Sequence, residues 1–373
     1  MNKVSKIFIF LSITLCLIPR TALAAGPSTA ARGAVLMEVE TGRVLYEKNP
    51  HEKMPMASTT KIMTAILALE KGNLSDVVTV SRNASEVEGS SIYLAVGEQL
   101  TLEQLLYGLM LRSGNDAAVA IAEHIAGSVE EFAKMMNEKA REIGAYNTNF
   151  VNPHGLHHED HYTTAYDLAL ISSYAMKNPK FVEIASTKYY KIPWPGQPWD
   201  RVLKNKNALL WDYEGANGIK TGYTKASGRC LASAALRDGM QLVCVVINCQ
   251  PWFDDSMAIL DYGFKEFRSH EVLSAGDKLG TIPVKNGFEE QVEILLNEDI
   301  VLPIREGEVK KINVRLECPE SLTAPVKAGD KVGYVKVSLG SDLEITKELY
   351  AASSVEENTF RSNIWRIIRS WIF

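Results

Sequence analysis

Three short motifs stand in fixed order along this chain: Ser58-Thr59-Thr60-Lys61, then Ser113-Gly114-Asn115, then Lys220-Thr221-Gly222. Ser-x-x-Lys and Lys-Thr-Gly each occur once, and Ser-x-Asn occurs twice, the other copy being Ser81-Arg82-Asn83. Any one of them arises by chance. Their order restricts the fold because each needs a different backbone setting. After Met54-Pro55-Met56, the apolar stripe of Ile62, Ala65, Ile66 and Leu69 predicts a helix that Gly72 closes. Ser58 opens that helix and Lys61 follows one turn later on the same face. A helix start offers a nucleophile free N–H groups and a positive dipole end. Ser113-Gly114-Asn115 is the tight joint between helices expected over 100–111 and 117–125. Lys220-Thr221-Gly222 falls in a strand expected over 218–223. Ser81 follows the strand-like run 77–80 and reads as a simple helix cap.

The remaining pattern predicts an α/β sandwich. Strands over 34–39 and 43–46 flank Thr41-Gly42. A helix is expected over 166–176, and 193–198 is a Pro/Trp-rich loop. A hairpin pairs 229–236 with 240–247 around Asp238-Gly239, and a helix returns over 254–267. Strands, many helices, strands, helix: this order implies an antiparallel sheet with a helical insertion. Beyond about residue 269, short alternating runs at 291–296, 308–315, 331–338 and 343–349 read as a small all-β module.

Both chain ends carry separate signals. Lys3 and Lys6, the apolar run 7–18 and Ala22-Leu23-Ala24 form a secretory signal cut before Ala25. At the other end, 353–359 reads as a polar linker. Phe360, Ile364, Ile367, Ile368 and Trp371 then share one helical face, with Arg361, Arg366 and Arg369 toward its edges or back. That helix is too short to span a bilayer and suits an anionic membrane surface. The expected division is signal peptide 1–24, catalytic domain 25–268, all-β domain 269–352, and linker with amphipathic anchor 353–373. The protein is expected to be exported and held peripherally on the outer face of the cytoplasmic membrane.

Composition and side-chain chemistry exclude other classes. A net charge of −5 over 373 residues gives nucleic acid no electrostatic footing. If Arg237 faces Met240, then Cys230 faces Ile247 and Cys244 faces Ser233, so Cys230 and Cys244 are not cross-strand partners. Cys230, Cys244, Cys249 and Cys318 are read as free, mostly buried thiols. His154, His157, His158 and His161 crowd together without spaced Cys or acidic partners. They are read as a surface loop near a cleft, with no metal.

With these features in place, the chain resembles the low-molecular-mass penicillin-binding proteins, the D-alanyl-D-alanine carboxypeptidase family. The likeness extends to the segments 56–64, 113–118, Asn152-Pro153-His154-Gly155-Leu156 and 217–224. It implies a penicillin-recognising fold of the β-lactamase/transpeptidase type, with an antiparallel sheet and a helical subdomain, then an all-β domain and an amphipathic C-terminal helix. Ser58 would be the nucleophile and Lys61 its base, its pKa lowered by burial and by Lys220. Ser113 would relay a proton to the leaving D-Ala, and Asn115 would hold the substrate backbone and Lys61. Lys220 and Thr221 would bind the terminal carboxylate, and Gly222 would let substrate lie along the strand edge. The N–H groups of Ser58 and Tyr223 would form the oxyanion hole. Lys206 stands where relatives commonly have Arg, which forbids a bidentate contact.

The implied substrates are peptidoglycan stem peptides ending in D-Ala-D-Ala, the implied inhibitors are β-lactams, and no cofactor is expected. Two alternatives stay open. One is a β-lactamase of the same fold, which would need a deacylating Glu; Glu130, Glu131, Glu138 and Glu142 fall in a helix-like stretch instead. The other is an inactive wall-binding scaffold.

Overall fold

The hairpin around Asp238-Gly239 is the centre of the larger sheet. In the computed structural model, which describes residues 26–360, β1 (Gly33–Glu38), β2 (Val44–Lys48), β3 (Ala216–Thr224), β4 (Gly228–Arg237) and β5 (Met240–Ile247) pair antiparallel. Their order is β2-β1-β5-β4-β3, so β3 has a free outer edge. Arg237 faces Met240 and Ser233 faces Cys244, the register expected from a two-residue turn. All four described cysteines are free: Cys230, Cys244 and Cys249 are buried and Cys318 is partly so.

Alternating side chains give this sheet two apolar faces. One face, through Val243, Val245 and Ile247, packs on the helices α1 (Lys61–Lys71), α2 (Leu102–Arg112), α3 (Asn115–Ala126), α4 (Val129–Ile143) and α5 (Ala165–Met176). The other, through Leu231, Leu242, Cys244 and Val246, packs on α6 (Trp252–Glu266) with Ile259 and Leu260. Thr101 starts α2 with a capping box to Gln104. Ser81 caps the short helix Arg82–Ser85 by accepting from Ala84 N–H, which leaves Ser113-Gly114-Asn115 as the motif at a helix joint.

The β module has its own core, built from residues such as Leu296, Val335, Val337 and Leu349, under a six-stranded sheet. It meets the larger unit at Arg43. That guanidinium spans both Glu308 oxygens at 3.0 and 3.1 Å and donates to the Pro303 carbonyl.

The sequence expectations need three corrections. The run 308–315 is not one strand: Glu308–Lys311 is a 3₁₀ turn and the strand is Ile312–Glu317. The Glu308 carboxylate accepts from Arg305 N–H and Arg43, which curls the backbone there. The loop 193–198 is the tip of an unforeseen hairpin, Tyr189–Ile192 with Arg201–Lys204. The expected linker is tied to the β module, since Val355 is buried and pairs with Val326, and Glu357 pairs with Gly287. The signal segment and the amphipathic tail beyond Phe360 lie outside the described residues. Among the described residues, no helix is long and apolar enough to cross a membrane.

Candidate active site

Ser58 sits in a 3₁₀ turn, Ala57–Thr60, that feeds into α1. Ala57 holds a left-handed backbone, φ 48°, which turns Ser58 into the cleft. The turn is fastened from beneath. His161 Nδ1 accepts from Val151 N–H at 3.1 Å, so Nε2 carries the hydrogen and donates to Thr60 Oγ1 at 2.7 Å. Thr60 Oγ1 donates on to the Ala57 carbonyl at 2.8 Å. Burial holds the imidazole neutral, its pKa pushed down to about 3.

Lys61 is fully buried, and its Nζ has three oxygen neighbours. These are Ser58 Oγ at 3.0 Å, Asn115 Oδ1 at 2.7 Å and the His154 carbonyl at 2.6 Å. Burial lowers its pKa well below the usual lysine value, and the charges of Lys220 and Lys206 push it the same way. A neutral amine has two hydrogens and one lone pair. The two neighbours that only accept take the hydrogens, so the lone pair is left for Ser58 O–H.

The second motif is placed by the helix joint. Ser113 ends α2 in the left-handed region, φ 64°, and Asn115 opens α3. Asn115 Nδ2 donates to the Glu88 carbonyl at 2.6 Å, which aims its oxygen at Lys61. Ser113 Oγ is buried with no hydrogen-bond partner among the described residues. Asp116 holds the rim by accepting from the N–H groups of Ile92 and Leu94 and from Ser91 Oγ.

The third motif lies on the edge strand β3. A Cβ at Gly222 would stand 2.9 Å from Ser58 N, so the strand backbone lies directly against the nucleophile's turn. Lys220 is buried, and its Nζ donates to the Thr221 carbonyl at 3.0 Å. Burial, then the charge of Lys206, brings its pKa down to about 7, and no acid among the described residues offsets them. Lys206 is exposed, with Nζ 3.4 Å from Ser90 Oγ.

All of Ser58, Lys61, Ser113, Asn115, Lys220, Thr221, Gly222 and Tyr223 therefore lie on the elements expected for them, and direct contacts join Ser58, Lys61 and Asn115. The histidine reading is corrected. His157 and His158 are exposed, but His154 and His161 are buried structural groups. Two supporting groups were missed, the His154 carbonyl and the Glu88 carbonyl. Backbone acceptors leave no mark in side-chain patterns; only the Asn-Pro-His-Gly-Leu segment hinted at the first. Among the described residues, no cluster of potential metal ligands occurs.

Comparison with known proteins agrees with this geometry. Residues 20–251 match the family model described as D-alanyl-D-alanine carboxypeptidase. Residues 267–357 match that of the penicillin-binding protein 5 C-terminal domain. The D-alanyl-D-alanine carboxypeptidase DacF of Bacillus subtilis (strain 168) is 33% identical over 352 residues, 91% of this chain and 90% of the relative. The D-alanyl-D-alanine carboxypeptidase of Streptomyces sp. (strain K15) is 37% identical over 270 residues, 67% of this chain and 92% of that one. Penicillin binding protein 5 from Haemophilus influenzae superposes with a TM-score of 0.74 at 30% identity, covering 89% of this chain and 99% of that structure. Two consecutive family models and relatives matched along nearly their whole length leave one assignment: the chain belongs to the D-alanyl-D-alanine carboxypeptidase family of low-molecular-mass penicillin-binding proteins, and it is a serine-type hydrolase.

Proposed function

We propose that Ser58 carries an acyl-enzyme during removal of the terminal D-alanine from peptidoglycan stem peptides. The observation that carries this reading is the buried, uncharged-leaning Lys61 amine 3.0 Å from Ser58 Oγ. Ser58 Oγ attacks the penultimate D-Ala carbonyl while its proton passes to Lys61 Nζ. The developing oxyanion accepts from the N–H groups of Ser58 and Tyr223. Lys61 returns the proton through Ser113 Oγ to the departing D-Ala nitrogen, a role that suits a buried hydroxyl without a partner among the described residues. Asn115 and the free edge of β3 align the peptide, and water then releases the acyl group. No cofactor takes part.

Glu130, Glu131, Glu138 and Glu142 are all exposed on α4, which disfavours a rapid deacylating carboxylate and hence the β-lactamase alternative. Penicillin is expected to acylate Ser58 and to leave slowly. The intact Ser58–Lys61–Asn115 contacts disfavour an inactive scaffold.

Lys220 supplies the selectivity for a free carboxylate. It is a buried amine with no acid beside it among the described residues, and a substrate carboxylate would raise its pKa and hold it charged. The test follows D-Ala release from a diacyl-Lys-D-Ala-D-Ala peptide and from its C-terminal amide. The acid is expected to be cleaved about 10²-fold faster, and Lys220→Gln to erase most of that preference. An unchanged preference in the variant removes Lys220 from this role.

We further propose export through residues 1–24 and peripheral attachment through the basic amphipathic stretch 360–373. Deleting everything after Thr359 is expected to abolish sedimentation with anionic vesicles while peptide cleavage persists, because every motif precedes Ala226. Binding by the native chain should weaken with salt. Vesicle binding by the truncated protein, or loss of its activity on small peptides, would refute the anchor.

A further inference from the structure

An open groove of about 620 Å³ adjoins the third motif on the far face of the sheet. Tyr223, Arg229, Gln250, Trp252 and Phe253 line it. The register explains its position. Gly222 turns its face to Ser58, whereas Tyr223 pairs with Arg229 two residues beyond the Thr221–Leu231 pair, and Leu231 packs on the α6 side. The groove therefore begins one residue past Lys220-Thr221-Gly222, around the free edge of β3.

Its chemistry is specific. Tyr223 is 63% exposed, and Trp252 and Phe253 supply further aromatic wall. Arg229 lies 5.4 Å from the centre of the Trp252 ring and donates only a long, 3.5 Å bond to the Gln250 carbonyl. No described carboxylate pairs with it. Asp255, in the first turn of α6, is engaged by Thr29 Oγ1 and Ala30 N–H, and Asp254 does not line the groove. Aromatic walls beside one unpaired guanidinium fit an aliphatic chain that ends in a carboxylate.

We propose that this groove is a specificity subsite for the acyl side of the stem peptide, taking an aliphatic chain that ends in a carboxylate. The proposal rests on the reading of Ser58 and of the β3 edge given above. A peptide added along β3 sends alternate side chains to the two faces of the sheet. One face leads to Ser58 and the other to this groove. The carboxylate has two possible sources, the residue directly before the D-Ala pair or the residue before that one.

Three acylated peptides ending in D-Ala-D-Ala separate these sources. The first carries a neutral, acylated lysine before the pair. The second adds a carboxylate to the ε-carbon of that lysine. The third keeps the neutral lysine and places an acidic residue one position earlier. The native enzyme is expected to show a kcat/KM about tenfold higher for the second or the third than for the first, and the favoured peptide identifies the source. Arg229→Gln should reduce the advantage to below about twofold, and Arg229→Lys should keep part of it. Penicillin labelling checks that each variant is folded. Equal rates for all three peptides, or an undiminished advantage in Arg229→Gln, would overturn the subsite and leave the reading of Ser58 standing. No release from any peptide, with no labelling, would overturn that reading and the subsite with it.

Discussion

Lys61→Ala is expected to lower the rate of covalent labelling by penicillin by about 10²–10⁴-fold, the range for loss of a positioned base. Ser58→Ala should abolish labelling and D-Ala release together, since no acyl bond can form. The expectation for Lys61 rests on its surroundings. An ordinary lysine is protonated at neutral pH and cannot take a proton. Here burial, Lys220 and Lys206 all favour the free amine, against a smaller opposing pull from Asp116. The pH dependence has a definite sign. Acylation by the native enzyme should fall as pH drops through the depressed Lys61 pKa, because protonation removes the lone pair. The variant should lose that limb of the profile. Its fold should survive: two acceptors, Asn115 Oδ1 and the His154 carbonyl, lose their donor, at about 1–3 kcal/mol each, while the cost of burying an amine disappears. Labelling of Lys61→Ala at the native rate would show that another group takes the proton.

Gly155→Ala should produce the second large effect, from a residue that makes no contact with substrate in the proposed mechanism. Gly155 has φ 89°, and a Cβ there would stand 1.9 Å from the Ala57 carbonyl oxygen. That carbonyl accepts from Thr60 Oγ1 and precedes Ser58 directly. The loop cannot retreat freely, because the Pro153 carbonyl accepts from Thr64 Oγ1 at 2.6 Å and the His154 carbonyl from Lys61 Nζ. Either the loop or the Ser58 turn must shift by an ångström or more. A displacement of that size costs about 10²-fold in an oriented reaction. Stability should fall as well, by at least about 2 kcal/mol, from left-handed strain and the clash together. Penicillin acylation kinetics and urea denaturation measure the two effects. A Gly155→Ala protein that acylates at the native rate would show that this loop does not position Ser58.

What could be read from the sequence was short-range. Ser58 and Lys61 meet because residues three apart on a helical turn are neighbours whatever surrounds them. Ser233 faces Cys244 because a two-residue turn dictates the pairing of both strands it joins. Ser81 was separable from Ser113 because a strand precedes one and a helix precedes the other. The hairpin Tyr189–Ile192 with Arg201–Lys204 escaped because both strands are short and the Pro/Trp-rich stretch between them masks their alternation. His161 was misread for a related reason. Nothing in a His-rich loop tells which ring will be buried; contacts with Val151 and Thr60 decide it, and Thr60 is 101 residues away.

The state of Lys61 belongs to the tertiary structure alone. Residue spacing alone settles which amine stands beside the serine. Only folding brings the His154 carbonyl, 93 residues away, and Asn115, 54 residues away, to its hydrogens, and sets Lys220 near enough to repel its charge. Local spacing follows from covalent geometry and one backbone turn. A pKa follows from everything that replaces water around the group, and those groups come from every part of the chain.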